Sequence, residues 1–311
     1  MSVDSDRDAD DTGDLRFTLV LARGSASFIQ PGQWEIHLRA DQITDGRFDA
    51  WIERTDRSAL GEQTRFSPSS ADPSRTITTP GTARRILTVG SYVTRPRIDS
   101  PAAGNISAFS SRGPTRYGFR KPEICAPGEQ IQAPRSSRMT SGSGMHRLET
   151  GTSMAAPHVT GTAALLLSVT PGLHCEQIKQ ILARTARKTG AAARAPDDTF
   201  GHGRLSADAA VALARTVRFP TIAGVTVDGA TVTWSTDLPT TGAVLYNPHR
   251  RRMQLGRSLG SEADLVLATD HSVDMGHLSP GTYFLEIVAF SEDNFWTADD
   301  NEGELYELTI P

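Results

Sequence analysis

The 311 residues carry 38% hydrophobic and 22% charged side chains, the balance of an ordinary globular protein long enough for two or three domains. A net charge of −4, with arginines interspersed among acids, excludes the basic stripe of a nucleic-acid binder, and no run approaches the roughly 18–20 apolar residues of a membrane span. Two cysteines, Cys125 and Cys175, exclude a disulfide scaffold and a metal-ligand spacing; they form one bond or, as read here, remain two buried free thiols.

Residues 1–14 hold six Asp and no apolar run, which predicts a disordered acidic lead without the hydrophobic core of a secretory signal. The sequence as it stands therefore reads as cytoplasmic, while a secreted parent with its signal upstream would leave the same pattern. Strict alternation follows: Leu15, Phe17, Leu19 and Leu21, then Trp34, Ile36 and Leu38, then Phe48, Ala50 and Ile52. Pro31-Gly32 and Asp45-Gly46 bound these runs, so antiparallel strands are expected to about residue 67, too few to close a sandwich alone. A Ser-, Pro- and Thr-rich connector leads to residue 80.

The class then changes. Residues 85–90 read as a short apolar strand ending at Gly90. A long helix is expected from Ser153, its apolar positions (Met154, Val159, Ala163, Leu166, Leu167) flanked by small residues so that it is buried nearly all round, and Pro171-Gly172 stops it. A second helix over 174–186 sets Ile178, Ile181 and Leu182 on one face. A third over 206–214 has Ser206 as N-cap and Asp208 in its first turn. A strand with three helices reads as α/β. From Phe219 the alternation returns through Val225, Val227, Val232, Trp234, Val244 to Tyr246, Leu265 to Leu267 and the strongest strand, 283–290. Asp228-Gly229 signals a tight hairpin, and a β-sandwich is predicted over 217–311. His249 with Arg250 to Arg252 is read as solvated surface. His271 and His277 lie at no metal-ligand spacing, and neither a metal nor a cofactor is assigned.

The segment that carries chemistry is Gly151-Thr-Ser-Met-Ala-Ala-Pro-His158-Val159. A small-residue turn sets Ser153 in the first turn of a helix, where backbone N–H groups are unpaired and the helix dipole favours negative charge. An oxyanion of acyl transfer would be stabilised there. Gly151 permits a tight approach, and Ala155, Ala156 and Gly161 allow close packing.

This nonapeptide resembles the serine motif of the subtilase family. Ile86 to Gly90, Phe109-Ser-Ser-Arg-Gly-Pro114, Lys121-Pro-Glu-Ile-Cys-Ala-Pro-Gly128 and Phe200-Gly-His-Gly-Arg-Leu205 resemble its neighbouring segments, in family order, so the likeness spans about 81–216. It implies part of a doubly wound parallel-sheet domain, Ser153 as nucleophile, the Ser153 backbone N–H as one oxyanion donor, and Thr152 as a weaker second. His158, five residues along, is read as a packed structural histidine.

A serine needs a base, and the base an orienting carboxylate. The family order Asp, His, Ser implies that both precede residue 81, and neither is found there. His37, the one histidine in that stretch, sits in a strand pattern without the family's surrounding motif. Asp11-Thr-Gly13 spells the aspartate tripeptide but follows an acidic run instead of a buried strand. Ala102-Ala-Gly-Asn105 resembles the oxyanion-asparagine segment, yet lies on the wrong side of the 86–90 strand.

Residues 34–52 resemble the jelly-roll insertion of one subtilase subgroup, so 15–80 is expected to be part of such an insertion. Leu278-Ser-Pro-Gly-Thr-Tyr283 and Trp234 resemble the corner and buried tryptophan of a fibronectin type III domain. Together these likenesses imply a serine endopeptidase acting on polypeptides, inactive as an isolated chain and complemented by a chain carrying the Asp/His half. The alternative is a pseudoprotease, or a protein-binding module acting through its C-terminal sandwich.

Overall fold

The computed structural model describes residues 2–7, 15–20, 25–29, 32–39, 46–52, 64–96, 102–136 and 144–311. The chain divides into two units, Met1–Ala71 and Asp72–Pro311.

In the first unit β1 (Ser2–Arg7) pairs antiparallel with β2 (Leu15–Val20), from Ser2 opposite Val20 to Arg7 opposite Leu15. The lead predicted to be disordered thus contributes a strand, because the alternating 15–20 segment offers a ladder edge that β1 satisfies. Asp11 lies outside the described residues. The alternations at 34–38 and 48–52 form no strands: Trp34, Ile36, Leu38, Phe48 and Trp51 are all exposed. Alternation makes a strand only where a partner ladder and an apolar layer receive it, and among the described residues these segments have neither.

The second unit opens with β3 (Val89–Tyr92), which pairs in parallel with β4 (Ile124–Pro127). The strand predicted over 85–90 is displaced toward the C-terminus, with Gly90 inside it. A Cβ at Gly90 would meet Cys125 Sγ at 2.5 Å, so the two strands approach as they do only because Gly90 has no side chain. β5 (Ile131–Pro134) and β6 (His146–Glu149) form a hairpin leading to α1 (Thr152–Val169); α2 (Cys175–Thr185) and α3 (Ala207–Ala214) follow.

α2 starts cleanly. The His174 N–H donates to Gln177 Oε1 at 2.9 Å, with Glu176 in the first turn and Arg184 in the last, matching the helix dipole. One face of the β3–β4 pair packs with Ala155, Val159 and Leu166 of α1, Ile178, Ile181 and Leu182 of α2, and Ala210 and Ala214 of α3. Cys125, Ala192, Ala195 and Phe200 gather in a second cluster with Tyr92 and Ile106. This is a layered α/β arrangement, as the helix and strand pattern predicted.

Both thiols are free. Cys125 is buried and its pKa is pushed up to about 12, by burial first and then by the Asp197 charge; Cys175, expected to be buried too, is exposed and donates to the Arg85 carbonyl at 2.9 Å.

The C-terminal strands differ from prediction in their assembly. β7 (Ile222–Asp228), β8 (Thr231–Asn247), β9 (Gly260–Asp274), β10 (Gly281–Ser291), β11 (Trp296–Asp299) and β12 (Tyr306–Ile310) form one hydrogen-bonded network instead of the two facing sheets of a sandwich. The long β8 causes this. Its first half pairs with β7, its second half with β10, and its register against β9 breaks between Ser235 and Gly242, so the sheet curls around Trp234, Leu285, Ile287 and Leu308. The hairpin signalled by Asp228-Gly229 forms with a two-residue loop, Gly229-Ala230, between the paired Asp228 and Thr231, with Gly229 at φ 55°, and the Tyr283 hydroxyl donates to the Ser279 carbonyl at 3.0 Å.

His249 and Arg251 are exposed, as the surface reading of 249–252 expects, but the arginines are also tied into the fold. They lie in α4 (Arg250–Gln254), where Arg250 pairs with Glu304 and Glu307 and Met253 is buried.

Candidate active site

Ser153 is the second residue of α1 and is exposed. Its position is set by a backbone weld behind it. The Gly151 N–H donates to the Gly128 carbonyl at 2.8 Å, and the Gly128 N–H to the Tyr92 carbonyl at 3.2 Å. The turn before the serine is thus bolted to the ends of β3 and β4. Two glycines make this possible. Gly151 sits at φ 156°, and a Cβ at Gly128 would collide with Ser91 Oγ and lie 2.8 Å from the Gly151 carbonyl oxygen. Ser91 is itself buried and shares a 2.8 Å hydrogen bond with Ser107, while the Gln130 N–H donates to Thr150 Oγ1.

At the helix start the N–H groups of Thr152 and Ser153 have no carbonyl four residues back within α1, the arrangement that receives a developing oxyanion. Pro157 lies one turn along and has no N–H, so the Ser153 carbonyl receives no helical bond from that position.

The rest of α1 departs from the all-round burial predicted. Ala155, Val159, Thr162 and Leu166 are buried, but Ser153, Pro157, Gly161, Ala164 and Ser168 form an exposed stripe, and Leu165 and Leu167 beside it are 52% and 40% exposed. The apolar composition predicts burial on every side; β3, β4, α2 and α3 cover only one.

No base stands beside Ser153 among the described residues. His158, expected to be packed, is exposed, and its Nδ1 donates to the Met154 carbonyl at 2.9 Å, one turn back along the same helix. His37 belongs to the first unit and shares a 3.3 Å contact with Glu35. Ala102 to Asn105 forms a turn that hydrogen-bonds back to Val93, the loop that its sequence predicts. The described residues also hold no group of three His, Cys, Asp or Glu side chains that would seat a metal, and no helix long and apolar enough to cross a membrane.

One constellation escaped the sequence reading altogether. In the curled sheet His271 Nδ1 donates to Asp264 Oδ2 at 3.0 Å, and Thr240 Oγ1 lies 2.8 Å from His271 Nε2. The connectivity is carboxylate, imidazole, hydroxyl, yet the Thr240 and His271 side chains are fully buried and Trp234 stacks on the imidazole at 5.0 Å. The relay has no opening to a substrate and acts as a satisfied polar network in the core. No residue spacing announces it, because the β8–β9 register break is what brings Thr240 and Asp264 to either side of His271.

Residues 56–203 match the family model described as the subtilase family. Serine protease AprX of Bacillus subtilis (strain 168) is 36% identical over 125 residues, covering 37% of this chain and 27% of AprX. A protein of Aquifex aeolicus (strain VF5), aq_aa18, is 41% identical over 102 residues, or 30% of this chain and 46% of that one. The chain thus spans less than half the length of either relative. Among solved structures, the CspB protease of Clostridium perfringens aligns with a TM-score of 0.39 at 32% identity, over 47% of this chain and 30% of that one.

Proposed function

We propose that this chain, whose residues 56–203 match the subtilase family model, is the serine-bearing part of a peptidase that cleaves polypeptides through an acyl-enzyme on Ser153, with the base and its carboxylate brought by a part of the enzyme outside these 311 residues and seated on the exposed face of α1. The family match implies a serine peptidase in general, and the uncovered serine face of α1 supports a division of labour between two halves.

The observation that carries it is the contrast along α1. The turn that presents Ser153 is held by glycine-dependent backbone bonds, while the helix face continuing from the serine is apolar, small-residued and uncovered. In the assembled site Ser153 Oγ attacks the scissile carbonyl carbon as its proton passes to the incoming imidazole. The carbonyl oxygen gains negative charge against the Ser153 N–H, with the Thr152 N–H as a weaker donor and Gly151 giving the backbone room. The imidazole returns the proton to the leaving amine, and water then hydrolyses the ester along the same route. Without a base the hydroxyl is a poor nucleophile, so the chain alone is expected to be inactive.

The test is complementation. The purified chain is assayed for hydrolysis of an unfolded protein substrate, alone and with the separately produced polypeptide encoded immediately upstream of it. Hydrolysis only in the mixture, lost with Ser153→Ala, is the expected result. Hydrolysis by the chain alone contradicts the two-half reading, and no hydrolysis in either arm favours the pseudoprotease or binding-module alternative.

A further inference from the structure

We propose that the cavity between α2, the segment ahead of β4 and the turn between β10 and β11 is a binding site for a phosphate group, distinct from the Ser153 turn. The cavity measures 510 Å³ and has cations from three parts of the second unit on its wall.

Most of these cations are accounted for. Lys121 pairs with Glu123 at 2.5 Å, Lys179 with Glu176 at 2.9 Å, and Arg84 with Glu286 at 3.2 Å, while Arg184 donates to the carbonyls of Asp293 and Asn294. Arg120 and Lys188 are not. Both line the cavity, and among the described residues neither meets a carboxylate. An uncompensated pair, both members close enough to His202 for their charges to act on it, is a standing attraction for an anion, and its charge matches that of a phosphate dianion.

A third donor lies with them. The His202 backbone N–H donates to the Glu123 carbonyl at 2.8 Å, which fixes its half-buried ring at the cavity. Burial, and then the Arg120 and Lys188 charges, hold this imidazole below its ordinary range, so near neutrality it offers one neutral N–H beside two full charges. Two cations and one ring donor suit three oxygens of a tetrahedral dianion better than the two oxygens and single charge of a carboxylate. Phe119 and Trp296 also line the cavity and give a flat substituent on the phosphate an apolar surface.

The site is rigid where it needs to be. Gln180 and the Trp296 backbone exchange two hydrogen bonds, at 2.8 and 2.9 Å, and tie α2 to β11.

Calorimetric titration of the full chain with inorganic phosphate at low ionic strength tests the proposal. Saturable single-site binding is expected, weakened at least tenfold in the Arg120→Gln/Lys188→Gln double variant and by added sodium chloride, and unchanged in Arg251→Gln, an exposed arginine of α4 that does not line the cavity. Both substituted side chains are exposed, so an unchanged circular dichroism spectrum separates loss of the site from loss of the fold. A parallel titration with phenyl phosphate identifies the source: tighter binding than inorganic phosphate marks an aromatic phosphate ester as ligand, and equal binding marks the free anion. The absence of saturable binding, or equal affinity in the wild type and the double variant, overturns the proposal.

Discussion

Two hydroxyls in this molecule each hold half of what acyl transfer requires. Ser153 has exposure, unpaired helix-start N–H groups and a braced turn, but no base among the described residues. Thr240 has an imidazole at 2.8 Å and a carboxylate beyond it, but it is sealed beneath Trp234. The contrast teaches that a proton relay alone does not make a site. Access and donors for the developing charge matter as much, and in this chain they lie with the family's motif while the relay lies in the β-sheet core.

The sharpest way to break the comparison is to exchange the fates of the two hydroxyls. Ser153→Ala in the complemented protein should lower peptide hydrolysis on the order of 10⁶-fold, the scale on which a subtilisin loses turnover with its nucleophile. Thr240→Val, measured in the same assay, should leave hydrolysis unchanged; a large loss there would move the chemistry to the curled sheet.

Next in size is the brace behind Ser153. Gly128→Ala forces a Cβ against Ser91 Oγ and the Gly151 carbonyl, and should destabilise the second unit by about 1–3 kcal/mol in chemical denaturation, with activity falling in step. An unperturbed Gly128→Ala would show that the turn is not held as described.

Thr240→Val leaves the buried His271 Nε2 without its donor, and a loss of about 1–2 kcal/mol is expected in the same measurement.

These sites differ in how far the sequence exposed them. The serine turn, the helix bounds at 174 and 186, the Asp228–Gly229 hairpin and the Ser279–Tyr283 corner were legible because each depends on residues within a few positions of one another. A cap, a stop signal or a two-residue loop is a local device. The strands predicted over 34–38 and 48–52 were not realised, since alternation describes a face without supplying its partner. The sheet's curl and the Asp264–His271–Thr240 relay were invisible for a related reason: both follow from where β8 breaks register against β9, thirty residues away. The burial of α1 was misjudged because composition reports what a helix tolerates, not which of its faces is covered.

The smallest expected effect is a pH dependence of the relay. The Val266 N–H, and then His271, hold the Asp264 carboxyl below the usual carboxylate range. A depressed folded-state pKa means that this contribution to stability is present above the unfolded value of about 3.9 and is lost as pH falls through the folded value. Denaturation curves below about pH 4 should therefore show a shallower acid loss in Asp264→Asn than in the wild type. Parallel curves would remove the relay's electrostatic contribution from the account.

The central claim, that Ser153 is the nucleophile and Thr240 is not, is tested most directly by labelling with a fluorophosphonate probe and mapping the adduct by mass spectrometry. The account predicts no adduct on the chain alone, and an adduct on Ser153 once the Asp/His half is present, abolished by Ser153→Ala. An adduct on Thr240, or labelling that survives Ser153→Ala, would contradict it.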